Sequence, residues 1–205
     1  MDRHEAEETS IIARRGLSTA VSEVHRQIQQ TYLDFPQPLV LGYSGGKDST
    51  AVAQLVWNAL QELPPSRLKK PVYVIASDTG VETPVISRLL DATLSSIQSA
   101  SDLAGLPFIT QKVGPSIDDS FWVNLIGRGY PAPTVKFRWC TDRLKIRPAN
   151  RFVEERVAEF GEVIMVLGVR TQESSTRSQL MNSYSVPGHP SGGTPLCQAP
   201  TFSLP

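Results

Sequence analysis

Six consecutive residues combine the side chains and the backbone freedom that phosphate binding requires. They are Ser44-Gly45-Gly46-Lys47-Asp48-Ser49. An apolar run, 38–41, precedes them, and residues 50–60 carry apolar side chains at helical spacing, which predicts a helix. The glycines would let an anion approach the backbone at the N-terminus of that helix, where unpaired N–H groups favour negative charge. A solvated Gly-Gly turn is the alternative, but the flanking strand and helix and the Ser, Lys and Asp side chains favour phosphate binding.

Acidic residues follow the next apolar run, residues 71–76, which predicts a buried strand. Asp78, Thr79, Gly80 and Glu82 come directly after it. In an open α/β sheet the carboxyl ends of the strands line the ligand crevice, so these residues would lie on the same edge as the glycine turn. Carboxylates beside a phosphate site can hold Mg²⁺, and Asp48 and Asp78 are the predicted ligands. The alternative is that Asp78 and Thr79 cap a helix.

A cysteine lies within a cluster of cations. Cys140 is surrounded by Arg138, Arg143, Lys145 and Arg147. Nearby positive charge favours the thiolate, the form that attacks sulfur or binds a metal. The alternative is a solvated basic helix start with a buried, inert cysteine.

A second cationic group follows the apolar run 163–169, which predicts another strand. Arg170 and Arg177 offer forked donors that match phosphate oxygens, and Glu173 can orient one of them. Earlier in the chain, residues 114–133 show no hydrophobic periodicity and mix aromatic side chains with Gly and Pro. These aromatic residues either stack on a base or pack on one another over the active face, and the sequence favours neither.

The elements that position these residues alternate along the chain. Helical patterns occupy 5–32, 50–60, 84–103 and 148–160, and strand patterns occupy 38–41, 71–76, 108–113 and 163–169. This order predicts an α/β fold: an open, mainly parallel, twisted sheet with helices on both faces. We predict an N-terminal helical segment at 1–36, a nucleotide-binding α/β domain at 37–180, and a Pro/Gly/Ser-rich tail at 181–205.

Composition narrows the class of protein. The 205 residues are 40% apolar, and 20 basic side chains balance 20 acidic ones, which gives no support for broad electrostatic binding to nucleic acid. No apolar run has the length of a membrane span, and the polar N-terminus is unlike a signal peptide, so we predict a cytoplasmic protein without membrane contact. The two cysteines, Cys140 and Cys197, are not expected to form a disulfide in a reducing compartment.

Four motifs carry a resemblance to known families. The SGGKDS turn resembles the pyrophosphate loop of the PP-loop ATP pyrophosphatases, and it lacks the Walker A spacing. Phosphoadenosine phosphosulfate reductase-like families have segments similar to three others, which contain Asp78 to Pro84, Trp139 to Pro148, and Gly168 to Arg177. Together the motifs resemble the DndC-type family of bacterial DNA phosphorothioation. Its fold is implied to be the adenine nucleotide alpha-hydrolase-like PP-loop fold.

This resemblance implies an adenylating enzyme that uses ATP and Mg²⁺ in the sulfur modification of the DNA backbone, as found in restriction–modification systems. Lys47, Asp48 and Cys140 would be catalytic. Nucleotide binding would fall to Ser44, Gly45, Gly46, Lys47, Asp48, Ser49, Asp78, Thr79, Gly80, Glu82 and Gly168. Substrate phosphates would be bound by Arg138, Lys145, Arg170, Glu173 and Arg177.

The resemblance also implies partners and a second cofactor. The partners would be DNA, a cysteine desulfurase and other Dnd-type proteins. The family carries a 4Fe-4S cluster, for which Cys140 would be one ligand, but an all-cysteine cluster takes four thiolates and this chain has two cysteines. We therefore expect a truncated or divergent member whose cluster is absent or completed by another chain. Two other readings remain: a phosphoadenosine phosphosulfate reductase, and a non-enzymatic nucleotide-binding subunit of a Dnd-like complex.

Overall fold

A parallel sheet forms the centre of the protein. The computed structural model describes residues 16–168, and in that part four strands pair in the order β3-β2-β1-β4. The strands are β1 (Leu39–Gly42), β2 (Val72–Ser77), β3 (Phe108–Val113) and β4 (Ile164–Val166). All pairs are parallel, with Leu39 opposite Val72 on one side and Ile164 on the other. The predicted α/β fold with a parallel sheet is confirmed.

Four long helices accompany the sheet in the described part of the chain: α1 (Leu17–Asp34), α2 (Lys47–Gln61), α3 (Pro84–Ala104) and α4 (Arg147–Phe160). Shorter helical pieces occur at Pro65–Arg67, Ile117–Asp119, Val123–Gly127, Trp139–Thr141 and Asp142–Ile146. The piece Asp142–Ile146 is a π-helix that runs directly into α4. The Cys140 segment is therefore helical and continuous with α4.

Helices cover both faces of the sheet because alternate strand residues point to opposite sides. Leu39, Leu41 and their neighbours on one face pack against apolar side chains from α1, α2 and α3. Val40 and its neighbours on the other face pack against α4. Tyr32 of α1 is fully buried, and its hydroxyl donates to the Lys70 carbonyl at 2.8 Å, which ties this helix to the loop before β2. The predicted helices on both faces are confirmed.

The strand order places a crevice beside β1. The chain passes from β1 to β2 to β3 in one direction, and β4 then returns to the opposite side of β1. The order reverses between β1 and β4, and ligands of open α/β sheets bind outside the carboxyl ends of the strands at such a point. The glycine turn leaves β1 there, and Gly168 follows β4 at the same edge.

Some element boundaries differ from those predicted. Helix α2 begins at Lys47 rather than Thr50, because Gly46 adopts extended backbone as its N-cap and the Thr50 N–H already donates to the Gly46 carbonyl at 3.0 Å. Lys47, Asp48 and Ser49 therefore belong to the first helical turn. Strand β4 ends at Val166, short of the predicted residue 169, which lies outside the described residues.

Two further predictions extend past the described residues. The helical pattern from residue 5 is described only from residue 17, and the three-segment division reaches both undescribed ends, so it stays a prediction. Within the described part, Ile28 and Tyr32 of α1 belong to the core of the sheet. None of the helices in residues 16–168 is both long and apolar enough to cross a membrane.

Candidate nucleotide-binding site

The glycine turn forms an open cradle at the N-terminus of α2. Gly45 has a φ of 72°, a conformation that glycine adopts without strain, and a Cβ built on it would meet nothing within 4 Å. The N-cap residue Gly46 provides no side-chain cap. The first N–H groups of a helix have no intrahelical acceptor, and with the helix dipole they favour an anion. The turn thus offers a phosphate both backbone donors and space.

Ser49 holds the turn together from inside. Its hydroxyl donates to the Gly46 carbonyl at 3.0 Å and accepts the Ser44 N–H at 3.2 Å. The Ser44 hydroxyl lies 3.1 Å from the same oxygen. Because Ser49 is buried, these bonds fix the path of the turn, whereas Ser44 is exposed and its hydroxyl also accepts the Gly46 N–H at 3.4 Å.

The strand β4 end closes the other side of the turn. A Cβ on Gly168 would lie 2.8 Å from the Asp48 carbonyl oxygen, so only glycine fits against that backbone. Lys47 extends outward with its side chain 75% exposed, and its ammonium lies 3.8 Å from the Asp48 carboxylate. The structure therefore brings the predicted residues 44–49 and Gly168 together at the β1/β4 crevice.

Asp78 has partners within the protein. Its carboxylate accepts the Gly80 N–H at 3.0 Å and lies 3.0 Å from the Lys112 ammonium, which also donates to Asp91 at 2.8 Å. The Gly80 N–H first, and then Lys112, hold the pKa of Asp78 below its usual value. Asp91 first, and then Asp78, raise the pKa of Lys112. A magnesium ion at Asp78 would have to compete with this lysine, and the metal roles of Asp48 and Asp78 stay predictions.

The capping alternative for Asp78 and Thr79 is wrong. The N-cap of α3 is Thr83, whose hydroxyl accepts the Ile86 N–H at 3.4 Å. Thr79 is buried, and its hydroxyl donates to Glu82 at 3.2 Å. Thr79 and Glu82, both predicted to bind nucleotide, therefore bond to each other and shape the loop after β2.

The aromatic residues of segment 114–133 pack on one another. The Phe121 ring stacks on Trp139 with centroids 5.3 Å apart, and Tyr130 meets Trp139 edge-on at 5.5 Å. The Trp139 indole N–H donates to the Pro131 carbonyl at 3.0 Å. The self-packing alternative is thus correct for these rings. Trp122 differs, because it contacts Phe121 edge-on and remains 57% exposed.

Two of the four cations around Cys140 are paired with acids. Arg143 donates to Asp119 at 2.6 Å and to the Tyr130 hydroxyl at 2.7 Å. Arg147 donates to Asp142 at 2.8 Å. Cys140 is half-buried and is a free thiol. Its other two neighbours, Arg138 and Lys145, are exposed, as phosphate binding would require.

The remaining predicted site residues, Arg170, Glu173 and Arg177, lie outside the described residues, as does Cys197. Their predicted role in binding substrate phosphate stays a prediction. Gly168 is the last described residue, and it lies beside the Asp48 backbone.

Comparison with known proteins identifies the family. Residues 38–183 match the phosphoadenosine phosphosulfate reductase domain, and this range is more than half of the 205-residue chain. The chain belongs to this family. The matched range begins just before β1 and contains the glycine turn, the loop after β2 and the Cys140 segment.

Two individual proteins are similar to this member of the reductase-domain family. The uncharacterized protein MJ0066 of Methanocaldococcus jannaschii is 27% identical over 151 residues, which cover 74% of this chain and 26% of that protein. The chain thus spans about a quarter of the length of that relative. A solved structure, the U34-tRNA thiolase NcsA from Methanococcus maripaludis with its 4Fe-4S cluster, matches with a TM-score of 0.47 and 15% identity. That match covers 82% of this chain and 51% of the thiolase.

Sequence reasoning missed three residues of this reductase-domain site. Lys112 is the partner of Asp78, and Asp119 is the partner of Arg143. Lys112 stands near the carboxyl end of β3, so the rule that located Asp78 on this edge would have found it too. Asp119 lies in an aperiodic segment, where nothing in the sequence indicates its partner. The exposure of Trp122 likewise has no local signal.

The described residues fit Mg²⁺ but do not fit a 4Fe-4S cluster. Mg²⁺ usually takes one or two carboxylates and completes its shell with phosphates and water, so Asp48 at the phosphate cradle fits it. An all-cysteine 4Fe-4S cluster takes four thiolates. The whole chain has two cysteines, and residues 16–168 contain no group of three or more acidic, histidine or cysteine side chains that could hold a metal. This chain alone does not fit the cluster.

Proposed function

We propose that this chain is the nucleotide-binding part of an ATP pyrophosphatase that adenylates an acceptor for sulfur transfer. The glycine turn is the observation that supports it most strongly. Its backbone donors, the open space at Gly45 and the close approach of Gly168 to Asp48 make a phosphate cradle at the β1/β4 crevice. Membership of a family named for a sulfonucleotide reductase supports a role in sulfur metabolism.

In this proposal the chain's own residues divide the work. The first-turn N–H groups of α2 and the Ser44 hydroxyl bind the phosphates of ATP. The ammonium of Lys47 stabilises the negative charge that grows on the departing pyrophosphate. Asp48 would hold Mg²⁺, which would neutralise charge on the phosphates. The loop in which Thr79 donates to Glu82 would border the site on the β2 side.

We further propose that the acceptor is the DNA backbone, with ATP activating an oxygen that sulfur later displaces. The support is the resemblance of the four motifs to the DndC-type family. A cysteine desulfurase would supply the sulfur, and other Dnd-type proteins would complete the assembly. The chain spans only part of its relative, so the activity of the whole protein belongs to this proposal.

The proposal is tested by ATP turnover in the presence and absence of DNA. Purified protein is incubated with ATP and Mg²⁺, and pyrophosphate is measured with an enzyme-coupled assay. We expect release that duplex DNA stimulates. Release without any effect of DNA would remove the DNA acceptor and keep the pyrophosphatase. ATP binding without turnover in either case would favour a non-enzymatic nucleotide-binding subunit.

A phosphoadenosine phosphosulfate reductase is the second candidate, and the family match favours it. It would bind a nucleotide with a 3′-phosphate, for which exposed Arg138 and Lys145 offer charge. Calorimetry separates the two candidates. We expect ATP with Mg²⁺ to bind at least as tightly as phosphoadenosine phosphosulfate, whereas a clear preference for the latter would favour the reductase.

Cys140 separates sulfur transfer from nucleotide cleavage. Attack at the α-phosphate requires no sulfur, so Cys140→Ser should abolish DNA phosphorothioation in cells and leave pyrophosphate release unchanged. Mass spectrometry of digested DNA measures the modification. Full sulfur incorporation by the variant would make Cys140 a packing residue. We also expect the isolated chain to lack stoichiometric iron when purified without air, because two cysteines do not complete a cluster.

A further inference from the structure

A pocket of about 380 Å³ opens at the carboxyl ends of β2 and β3, away from the glycine turn. Its lining includes Thr79, Gly80, Lys112, Gly114, Phe121 and Trp122. None of residues 44–49 lines it. Strand β2 separates β3 from β1, and the pocket is lined by residues at or beyond the ends of β2 and β3 rather than of β1. Its volume is within the range of small-molecule pockets, about 300–1,000 Å³.

The charges in this pocket cancel. Asp78 and Lys112 both line it, and their charged atoms lie 3.0 Å apart. A phosphate would find the lysine already held by two carboxylates, Asp78 and Asp91. A neutral, planar ring has no such conflict, and its polar edge can bond to the paired acid and ammonium. Val113, Pro115 and Ile117 add apolar surface.

Trp122 gives the pocket an exposed aromatic wall. It is 57% exposed, while its neighbour Phe121 holds it edge-on with ring centroids 5.2 Å apart. Phe121 in turn stacks on buried Trp139, the residue next to Cys140. Ring contacts thus connect Trp122, through Phe121, to the residue beside Cys140. An exposed tryptophan held in this way offers a stacking surface that accepts any base.

We propose that this pocket receives an unstacked nucleobase of the nucleic-acid acceptor, with Trp122 as its stacking partner and Lys112 and Asp78 facing its polar edge. The proposal rests on the proposed function, because an acceptor base exists only if the acceptor is a nucleic acid. It extends that function by separating two sites. The glycine turn binds the phosphates of ATP, and the pocket beyond β2 holds the strand that receives sulfur.

The test measures binding of a fluorescein-labelled, single-stranded DNA oligonucleotide of mixed sequence by fluorescence anisotropy. Loss of one base–aromatic stack corresponds to about 5- to 150-fold weaker binding, so Trp122→Ala should raise Kd by that factor. Trp122→Phe keeps a ring and should stay within about threefold of the wild type. Ile126→Ala is the matched control, because Ile126 is 76% exposed in the same segment and does not line the pocket.

ATP binding by the same variants, measured by calorimetry with Mg²⁺, distinguishes the outcomes. We expect it to be unchanged in all three. If Trp122→Ala weakens ATP binding and not oligonucleotide binding, the pocket holds the adenine of ATP and the proposal is overturned. Equal oligonucleotide affinity in Trp122→Ala and wild type would also overturn it, with the proposed function intact. A wild-type protein that binds ATP but neither single-stranded nor duplex DNA would contradict the DNA acceptor itself.

Discussion

Two regions at the carboxyl edge of the sheet, the glycine turn and the loops after β2 and β3, differ in whether their charged groups are paired within the protein. In the glycine turn, α2 has no side-chain cap, and Lys47 extends into solvent with 75% of its side chain exposed. The second region, which we call the wall, consists of the loop after β2 that contains Asp78, Lys112 near the end of β3, and the segment after β3 that contains Asp119. In the wall, Asp78 is paired with Lys112, and Asp119 is paired with Arg143. The first region presents donors outward, and the second pairs its charges internally.

This difference separates binding from positioning. Backbone donors at a helix N-terminus have no acceptor within the helix, so an incoming phosphate can supply one. A cation that reached Asp78 would have to compete with Lys112, which Asp78 and Asp91 hold together. We therefore assign phosphate chemistry to the turn, and to the wall the task of holding the Cys140 segment and the pocket in place.

The largest expected effect is a loss of activity from a substitution in the glycine turn. Lys47→Ala should lower the rate of pyrophosphate release by about 10- to 1,000-fold, the scale for loss of one electrostatic donor to developing charge. The fold should survive, since the side chain is exposed. Lys69→Ala is the control, because Lys69 is exposed just before β2 at the opposite end of that strand. Equal rates for wild type and Lys47→Ala would contradict the assignment of the turn.

The next largest effect is a loss of stability when the wall loses Arg143. Arg143→Ala removes bonds to Asp119 and Tyr130 at a site where the arginine side chain is 17% exposed. Loss of a hydrogen bond to a charged group should lower the free energy of unfolding by about 1.5–3 kcal/mol, measured in urea. The matched control is Arg147→Ala. Its bond to Asp142 has both side chains 51% exposed, so the expected loss is below about 1 kcal/mol.

Equal losses in these two arginine variants would mean that the wall is not held by its internal pair. The alkylation rate of Cys140 by iodoacetamide adds a second measurement. Arg143→Ala should change that rate, because the segment carrying the cysteine would lose its hydrogen bonds to Asp119 and Tyr130 and keep only the packing of Trp139. A general loss of stability would instead appear in the urea transition alone.

Gly168 tests the contact between β4 and the turn. In Gly168→Ala the new Cβ would lie 2.8 Å from the Asp48 carbonyl, so the backbone of the turn must shift. Overpacking of this kind costs about 1–3 kcal/mol, and we expect weaker binding of ATP with Mg²⁺ by calorimetry. Gly127→Ala is the control, because its Cβ would meet nothing closer than a Val123 methyl at 3.8 Å. Unchanged affinity in Gly168→Ala would show that the turn does not depend on β4.

The smallest effect should come from Lys112. Its side chain is 35% exposed, so solvent screens its ion pairs and Lys112→Met should cost about 0–1 kcal/mol of stability. The pKa of Asp78 is lowered in the folded protein, so the stability from this pair is present above the usual value and is lost as the pH falls below about 4. Thermal unfolding of both proteins should show a constant difference near neutral pH that disappears in acid.

The raised pKa of Lys112 limits the same difference at high pH. Its contribution is present below the usual lysine value and is lost as the pH rises above about 10.5. A difference between wild type and Lys112→Met that persisted in acid would show that the lysine stabilises the loop by packing rather than by charge.

The sequence predicted the structure of the glycine turn better than that of the wall. Strand, turn and helix around Gly45 are contiguous in sequence, and the local pattern specifies them, apart from the helix start at Lys47. The wall depends on contacts between distant residues. Asp119 and Arg143 are 24 positions apart, and no periodicity indicates that they meet. The pairing of Asp78 with Lys112 was missed for the same reason, because the lysine comes from a different strand, and the magnesium role of Asp78 stays a prediction.

The most direct test of the central claim is the identity of the products formed from ATP. We propose that the turn supports cleavage between the α- and β-phosphates. Wild-type protein with Mg²⁺ and duplex DNA should therefore convert ATP labelled at the α-phosphate into AMP or a labelled acceptor, separated by thin-layer chromatography, and release pyrophosphate in the enzyme-coupled assay. The appearance of ADP and inorganic phosphate in place of these products would contradict the account.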